Sequence, residues 1–149
     1  MTRELCHELY KHWTNDASIY MDMHLFQPYV YDEAAVNRYF DMKGQDASRR
    51  LFAIMLGDKV IGELQLKQIE HDKKECTLSI HMQNDAVKGK GYGTQAERLA
   101  VKTAFDAFGM AAVNADTIRK NTRSQHVLEK VGFRFVGEDE TFKYYRIER

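Results

Sequence analysis

The stretch Lys88-Gly89-Lys90-Gly91-Tyr92-Gly93-Thr94 constrains the fold of this chain more than any other. Glycines alternate through it, two lysines stand among them, and a helical pattern begins at once. Gly89, Gly91 and Gly93 put no side chain between the backbone and a ligand, and glycine tolerates the positive φ of a tight strand-to-helix turn. The first N–H groups of the following helix have no intrahelical partners. With the helix dipole they suit a phosphate or pyrophosphate. Lys88 and Lys90 add positive charge. The expectation is an anion cradle, most simply for a phosphate-bearing cofactor, against the alternative of a flexible turn. A Walker loop needs Gly-x-x-x-x-Gly-Lys-Ser/Thr, but Gly91 follows Gly89-Lys90 here. A dinucleotide fingerprint needs Gly-x-Gly-x-x-Gly, and this spacing is Gly-x-Gly-x-Gly.

With 149 residues the chain has the length of one domain, 1–149, with a real core. Lys plus Arg and Asp plus Glu both number 22, and the resulting zero net charge argues against a dedicated nucleic-acid binder. Cys6 and Cys76 make neither a disulfide framework nor a Cys-x-x-Cys metal pair. The segment Met1-Thr2-Arg3-Glu4 leads into no apolar run, and nothing in the sequence is apolar for long enough to span a membrane. A reducing, cytoplasmic setting is expected.

Leu5, Cys6, Leu9 and Trp13 predict a helix over 2–13, with His7 and His12 both solvated and too poorly spaced for a shared metal. Tyr20, Met21, Met23, Phe26, Tyr29 and Tyr31 make either a second core patch or the wall of a substrate pocket. Asp32 caps a helix to about Met42, with Ala35, Val36, Tyr39 and Phe40 inward. From Arg49 the period becomes that of strands: 51–56 and 60–66 form a hairpin around Gly57-Asp58, and 76–82 is a third strand leading to the glycine loop. A broad stripe, Ala96, Leu99, Ala100, Thr103 and Ala107 widened by Val101, Ala104, Phe105 and Phe108, predicts a sheet-packed helix ended by Gly109. Strand 112–118 follows, so the crossover predicts two parallel strands. Asn121 opens a last helix with Val127, Leu128 and Val131 inward, Gly132 ends it, and 133–136 and 141–147 close the chain as an antiparallel pair.

This order, with Lys88-x-x-Gly91-x-Gly93 at the junction, resembles the GNAT superfamily of acetyl-CoA-dependent N-acetyltransferases, whose pattern is Gln/Arg-x-x-Gly-x-Gly/Ala. Lys88 keeps the charge of the Arg version. The run Asn121-Thr122-Arg123-Ser124 leading to Glu129-Lys130-Val131-Gly132-Phe133 resembles the family's Asn-x-x-Ser helix and its Glu-Lys-x-Gly-Phe ending. Gly-Lys-Gly-Tyr-Gly-Thr and Leu128-Glu129-Lys130 look closest to the ribosomal-protein-alanine N-acetyltransferase-like branch. The resemblance covers roughly 50–149 well.

The resemblance implies an α/β (α+β) fold, the GNAT acyl-CoA N-acyltransferase fold, with a mixed sheet splayed at its middle and helices on both faces. It implies acetyl-CoA in the splay and no metal. The amides of Gly89, Lys90, Gly91, Tyr92, Gly93 and Thr94 would hold the pyrophosphate, with Lys88 and Arg123 near the phosphates and Arg119 and Lys120 beside them. Ile80, His81 and Met82 would bond the pantetheine arm and offer an N–H to the thioester oxygen. Asn121 would contact the arm, serve as a plain N-cap, or both. Many members use a Tyr acid where Leu128 stands; in the nearest branch the acid is the motif serine, here Ser124, with Tyr144 and Tyr145 as weaker candidates. His81 is the candidate base, with Glu63 and Glu75 as alternatives. Thr77 occupies the position of a branch carboxylate, which leaves a water chain as another route for the proton. Lys73-Lys74 and Arg49-Arg50 read as surface.

The expected activity is acetyl transfer to a primary amine, either a protein N-terminus or a small molecule. A catalytically weak acyl-CoA-binding module is the alternative that Leu128 and Thr77 keep open, and zero net charge disfavours an RNA binder. The fold often pairs, so a homodimer is a further expectation. Gly91→Glu should abolish coenzyme A binding and leave the fold largely intact; undiminished binding in a calorimetric titration would remove the cradle.

Overall fold

The alternating run after Arg49 folds as a hairpin of β1 (Arg50–Leu56) and β2 (Lys59–Glu70), turning at Gly57, whose φ is +62°. Residues 1–20 and 22–149 are described by the computed structural model; Met21, expected in a pocket wall, lies outside them. Two helices precede the hairpin, α1 (Arg3–Lys11) and α2 (Glu33–Gln45), capped by the side chains of Thr2 and Asp32. After it come β3 (Glu75–Met82), α3 (Tyr92–Asp106), β4 (Ala112–Ile118), α4 (Thr122–Val131), β5 (Arg134–Glu138) and β6 (Phe142–Glu148).

The strands form one mixed sheet in the order β1-β2-β3-β4-β6-β5. Only β3 and β4 are parallel, as the crossover through α3 requires. Their pairing runs from Glu75↔Ala112 to Leu78↔Ala115 and stops. Beyond that point β3 stays with β2, in the pairs Leu64↔Ile80, Glu63↔His81 and Gly62↔Met82. Meanwhile β4 stays with β6 through Ile118↔Phe142. The sheet therefore splits between Ser79 and Met82, leaving one backbone edge of β3 without a strand partner.

Close approach at Gly62 holds β3 to β2 on its side of the split. A Cβ there would stand 2.8 Å from the carbonyl oxygen of His81 and 3.1 Å from Met82 Sδ. The bulge of this hairpin falls on β2 at Ile61, beside the same glycine, between the pairs Ile54↔Gly62 and Met55↔Val60. No other residue type would leave this spacing unchanged.

One face of the sheet carries Leu64, Leu66 and Leu78 against Ala100, Val101 and Ala104 of α3. Cys6, Leu9 and Val36 are buried outside that cluster, where α1 packs on β2 and α2 on β1. Both cysteines are free, and burial pushes each thiol up to about 11. Among the described residues no helix is long and apolar enough to cross a membrane.

Several expectations are corrected. The buried face of α3 is Glu97, Ala100, Val101 and Ala104; Leu99 is 66% exposed and Ala107 is also exposed. At about 100° per residue the stripe through 97, 100, 101 and 104 is narrower than the apolar composition suggested. His7 is not solvated: Nδ1 lies 2.6 Å from Tyr31 Oη and Nε2 2.9 Å from Asn37 Oδ1, tying α1 to α2. Arg49 is not plain surface; its side chain is 17% exposed and bonds Asp46 and Gln65. Helix α3 ends at Asp106 with Ala107 as its C-cap, two residues before Gly109, whose φ of +68° then turns the chain.

Gly62→Ala should destabilise the protein by about 1–3 kcal/mol through the backbone clash with His81. Gly44→Ala, near the end of α2 where a Cβ meets nothing within 4 Å, should be neutral or stabilising by a few tenths of a kcal/mol. Urea denaturation of the two variants checks the contrast.

Candidate active site at the split in the sheet

Where β3 and β4 part, a cleft of about 460 Å³ opens between Ile80, His81 and Met82 on one side and Asn121, Ser124 and Val127 on the other. Trp13 and Tyr20 of the segment after α1 close it. That segment is pinned to the end of β3. Gln83, 2% exposed, donates its amide to the Leu9 carbonyl at 2.9 Å and receives the Thr14 N–H at 3.0 Å on its own carbonyl. Asn84 likewise donates to the His12 carbonyl at 3.1 Å. These bonds set the Trp13 ring 6.4 Å from that of His81.

At the mouth, Gly91 caps α3 in the left-handed conformation, φ +83°, with no side-chain capping bond. The first intrahelical bond runs from Gln95 N–H to the Gly91 carbonyl at 3.1 Å, so the amides of Tyr92, Gly93 and Thr94 precede it. A Cβ at Gly89 or Gly91 would meet nothing within 4 Å, so these glycines keep the approach to those amides open. Only the backbone of Tyr92 contributes, because its ring packs against the core on the far side. Lys88 lines the cleft, but its ammonium pairs with Asp16 at 3.1 Å and Asp85 at 3.3 Å, fastening the N-terminal segment to the glycine loop. Lys90 is exposed, and Thr94 is half-buried. Lys120 and Arg123 stand at the rim, whereas Arg119 turns away toward Glu138 at 3.7 Å.

Asn121 does two things at once. Its Oδ1 accepts the Ser124 N–H at 3.2 Å as the N-cap of α4, and the residue lines the cleft. Ser124 follows one helical turn in and lines the same cleft, half-buried. His81 remains accessible through the openings it lines, while neighbouring atoms crowd its other sides. Desolvation holds its pKa below the usual histidine value; the positive charges of Lys67 and Lys88 act the same way and Glu63 opposes them. The imidazole is therefore neutral at pH 7, with a ring nitrogen able to take a proton.

Glu97 is the feature that sequence reasoning missed. It is 1% exposed and lines both this cleft and an adjoining hollow beside Ser124. Its Oε2 has no hydrogen-bond partner among the described residues. Burial pushes its pKa up to about 8, so at pH 7 it is largely a neutral carboxylic acid. The signal was available: Glu97 sits three, four and seven residues before Ala100, Val101 and Ala104, a carboxyl on the apolar stripe. A buried polar atom without a partner costs roughly 1–3 kcal/mol, so a ligand with amide groups would relieve it here. Uncapped amides at α3, a free strand edge and an orphaned carboxyl together fit a coenzyme A thioester, phosphates at the glycine loop and arm along β3.

On the opposite face of β2 and β3 lies a second cleft, about 580 Å³, and His81 lines this one too. Its floor includes Glu63, 3% exposed and paired across the strands with His81. Both Glu63 carboxylate oxygens accept from the Tyr39 hydroxyl, at 2.7 and 2.9 Å. Burial, and then the Glu63 charge, push the Tyr39 and Tyr10 hydroxyls well above the usual phenol range, so both stay protonated.

The other candidate groups fall away. Glu75 is bonded by Arg146 at 2.5 Å, which holds its carboxyl below the usual range and makes it a poor base. Tyr145 is 2% exposed in the core, and Tyr144 donates to Asp139 at 2.5 Å on the surface. Thr77 lies in the still-paired part of β3, opposite Asn114. Of the expected pocket wall, Tyr20 lines the first cleft and Tyr29 the second; Phe26 packs on Tyr20 at 5.0 Å, and Met23 is 56% exposed. Among the described residues no group of His, Cys, Asp and Glu is placed to hold a metal.

Sequence comparison gives the family to which this fold and site belong. Residues 1–134 match the family described as Acetyltransferase (GNAT) domain, and the chain belongs to that family. It is 34% identical over 76 residues to Probable N-acetyltransferase YjcK of Bacillus subtilis (strain 168), covering 51% of this chain and 42% of that one. It is 25% identical over 99 residues to Spermidine N(1)-acetyltransferase of Escherichia coli (strain K12), covering 66% and 53%. The matches thus span about half the length of these curated relatives. Among solved structures, spermidine N-acetyltransferase from Vibrio cholerae in complex with CoA and spermine superposes with a TM-score of 0.79 at 17% identity, over 99% of this chain and 92% of that one. Campylobacter jejuni N-acetyltransferase PseH in complex with acetyl coenzyme A gives 0.69 at 20% identity, over 78% and 79%. At these identities the likeness is one of fold.

Because Glu97 is protonated in the folded chain up to about pH 8 but ionises near 4.5 when unfolded, the unfolded state binds fewer protons between these values. Stability should therefore fall as pH rises from about 4.5 to 8, by roughly 3–5 kcal/mol from this group. Glu97→Gln should flatten that slope in chemical denaturation at pH 5, 6.5 and 8.

Proposed function

We propose that this chain is an acetyl-CoA-dependent N-acetyltransferase that acts on a primary amine by direct attack on the thioester. The observation that carries the proposal is the meeting of two clefts at His81. One cleft suits the coenzyme arm, and the other opens to solvent on the far face of the same strands. The names of the curated relatives support the reading, and the matched family is consistent with it. The Gly-Lys-Gly-Tyr-Gly-Thr loop and Leu128-Glu129-Lys130 favour a place near the ribosomal-protein-alanine branch.

Acetyl-CoA, when bound, supplies an activated acyl group on sulfur. The amine must lose a proton before it attacks, and the departing sulfur must gain one. His81, neutral and shared by both clefts, accepts the amine proton. Ser124, fixed by the Asn121 cap, passes a proton to the sulfur directly or through a water. N–H groups on the unpaired edge of β3 near Ile80–Met82 donate to the acyl oxygen as it gains charge, an effect of about 3–4 kcal/mol in comparable sites. Glu97 bonds the arm in its neutral form. Leu128, 2% exposed in the core, does not replace the tyrosine acid of other members.

Acetyl-CoA and CoA, but not ATP, should raise the melting temperature. Thiol release against an amine panel should then show turnover. Ser124→Ala should lower kcat at least tenfold with little change in CoA affinity, and His81→Gln should remove the acidic limb of the pH–kcat/KM profile, which lies below the usual histidine pKa. Binding without turnover on any amine would make the chain an acyl-CoA-binding module instead.

A further inference from the structure

The second cleft also specifies what kind of amine enters it. Glu63, Gln65 and Lys67 of β2 share a face with His81 of β3, since side chains two apart on a strand point the same way. The cleft they line contains one buried carboxylate, Glu63, and three cations: Lys43, Arg49 and Lys67. Glu63 lies next to His81, where the reacting nitrogen must sit. Of the cations, Lys67 lies further along β2, Lys43 on α2, and Arg49 just before β1.

Their partners differ. Arg49 is fixed by Asp46 at 3.1 Å and by Gln65. No carboxylate lies within salt-bridge distance of Lys43 or Lys67 among the described residues. Lys43 is half-buried with Nζ 5.4 Å over the Tyr39 ring. Burial and the neighbouring charges of Arg49 and Lys67 lower its pKa, although Glu63 and Asp46 pull the other way. A second cationic nitrogen in the acceptor would add to this repulsion, whereas an anion would relieve it.

On the transferase reading above, we propose that the acceptor is a primary amine bearing an anionic group a few bonds from the nitrogen, with Glu63 and His81 at the amine end and Lys43 and Lys67 binding the anion. Carboxylate and phosphate share this chemistry, and a matched series separates them.

The test measures kcat/KM by thiol release at saturating acetyl-CoA, for four acceptors of equal chain length: an ω-amino acid, its primary amide, the aminoalkyl phosphate and the diamine. The amino acid or the phosphate should exceed both the amide and the diamine by at least tenfold, and whichever of the two is faster names the anion. Lys67→Gln should reduce the preference for the anionic acceptor over the amide by about tenfold, through KM. Lys67→Glu should shift it toward the diamine, and Lys43→Gln gives an independent second loss. Faster turnover of the diamine or the amide by the unaltered chain overturns the proposal and leaves the transferase reading intact. An unchanged preference in both Lys67 variants and in Lys43→Gln overturns it as well. No thiol release with any acceptor brings down the transferase reading and this proposal together.

Discussion

Pairing between β3 and β4 lasts only from Glu75 to Leu78, and the placing of every functional group depends on where it ends. A continuous parallel ladder would satisfy the backbone of Ser79 to Met82 with strand partners and leave no space for a ligand. The strands part because each remains bound to a different neighbour, β3 to β2 through Gly62 and β4 to β6 through Ile118. The glycine at 62 keeps the first of these contacts close, since a Cβ would strike the His81 carbonyl. Backbone groups thus freed are what a coenzyme arm requires, and the start of α3 lies at the mouth of the same opening.

Two ionisable groups near the opening are held neutral by their surroundings. Glu97, buried without a partner, is neutral near pH 7. His81 is crowded and flanked by Lys67 and Lys88, and it is neutral as well. Glu63 is bonded twice by Tyr39, whose hydroxyl is kept protonated by burial and then by the Glu63 charge. A neutral imidazole between an acidic floor on one face and an uncharged carboxyl on the other suits the proton movements of the proposed amine acylation. Lys88 contributes structurally as well, since its two carboxylate partners bind the N-terminal segment to the loop.

The glycine loop was legible because its function depends on local properties: absent side chains, positive φ and the free amides of a helix start. The Asn121–Ser124 cap was legible for the same reason, and the structure shows Asn121 capping while lining the cleft. Arg49 was misread because a charged pair next to a strand usually points to solvent, and only its bonds to Asp46 at the end of α2 and to Gln65 of β2 draw it in. His7 was misread because its partners, Tyr31 and Asn37, are remote in sequence. Glu97 was passed over although its spacing put a carboxyl on the buried stripe, since a helix pattern is judged by its apolar members.

By itself the sequence determined the order of elements, the parallel crossover and the left-handed glycine turn before α3, because periodicity, glycine conformation and capping act over a few residues. It also determined which residues stand on β3 beside the loop. The tertiary structure decided where β3 and β4 separate, which face of β2 carries the second cleft, and that His81 opens onto both sides. Those outcomes depend on strand register, on close approach at Gly62 and on side chains from α1, α2 and α3 meeting across the sheet. Such contacts join residues tens of positions apart, and their energies depend on burial that exists only once the chain is folded.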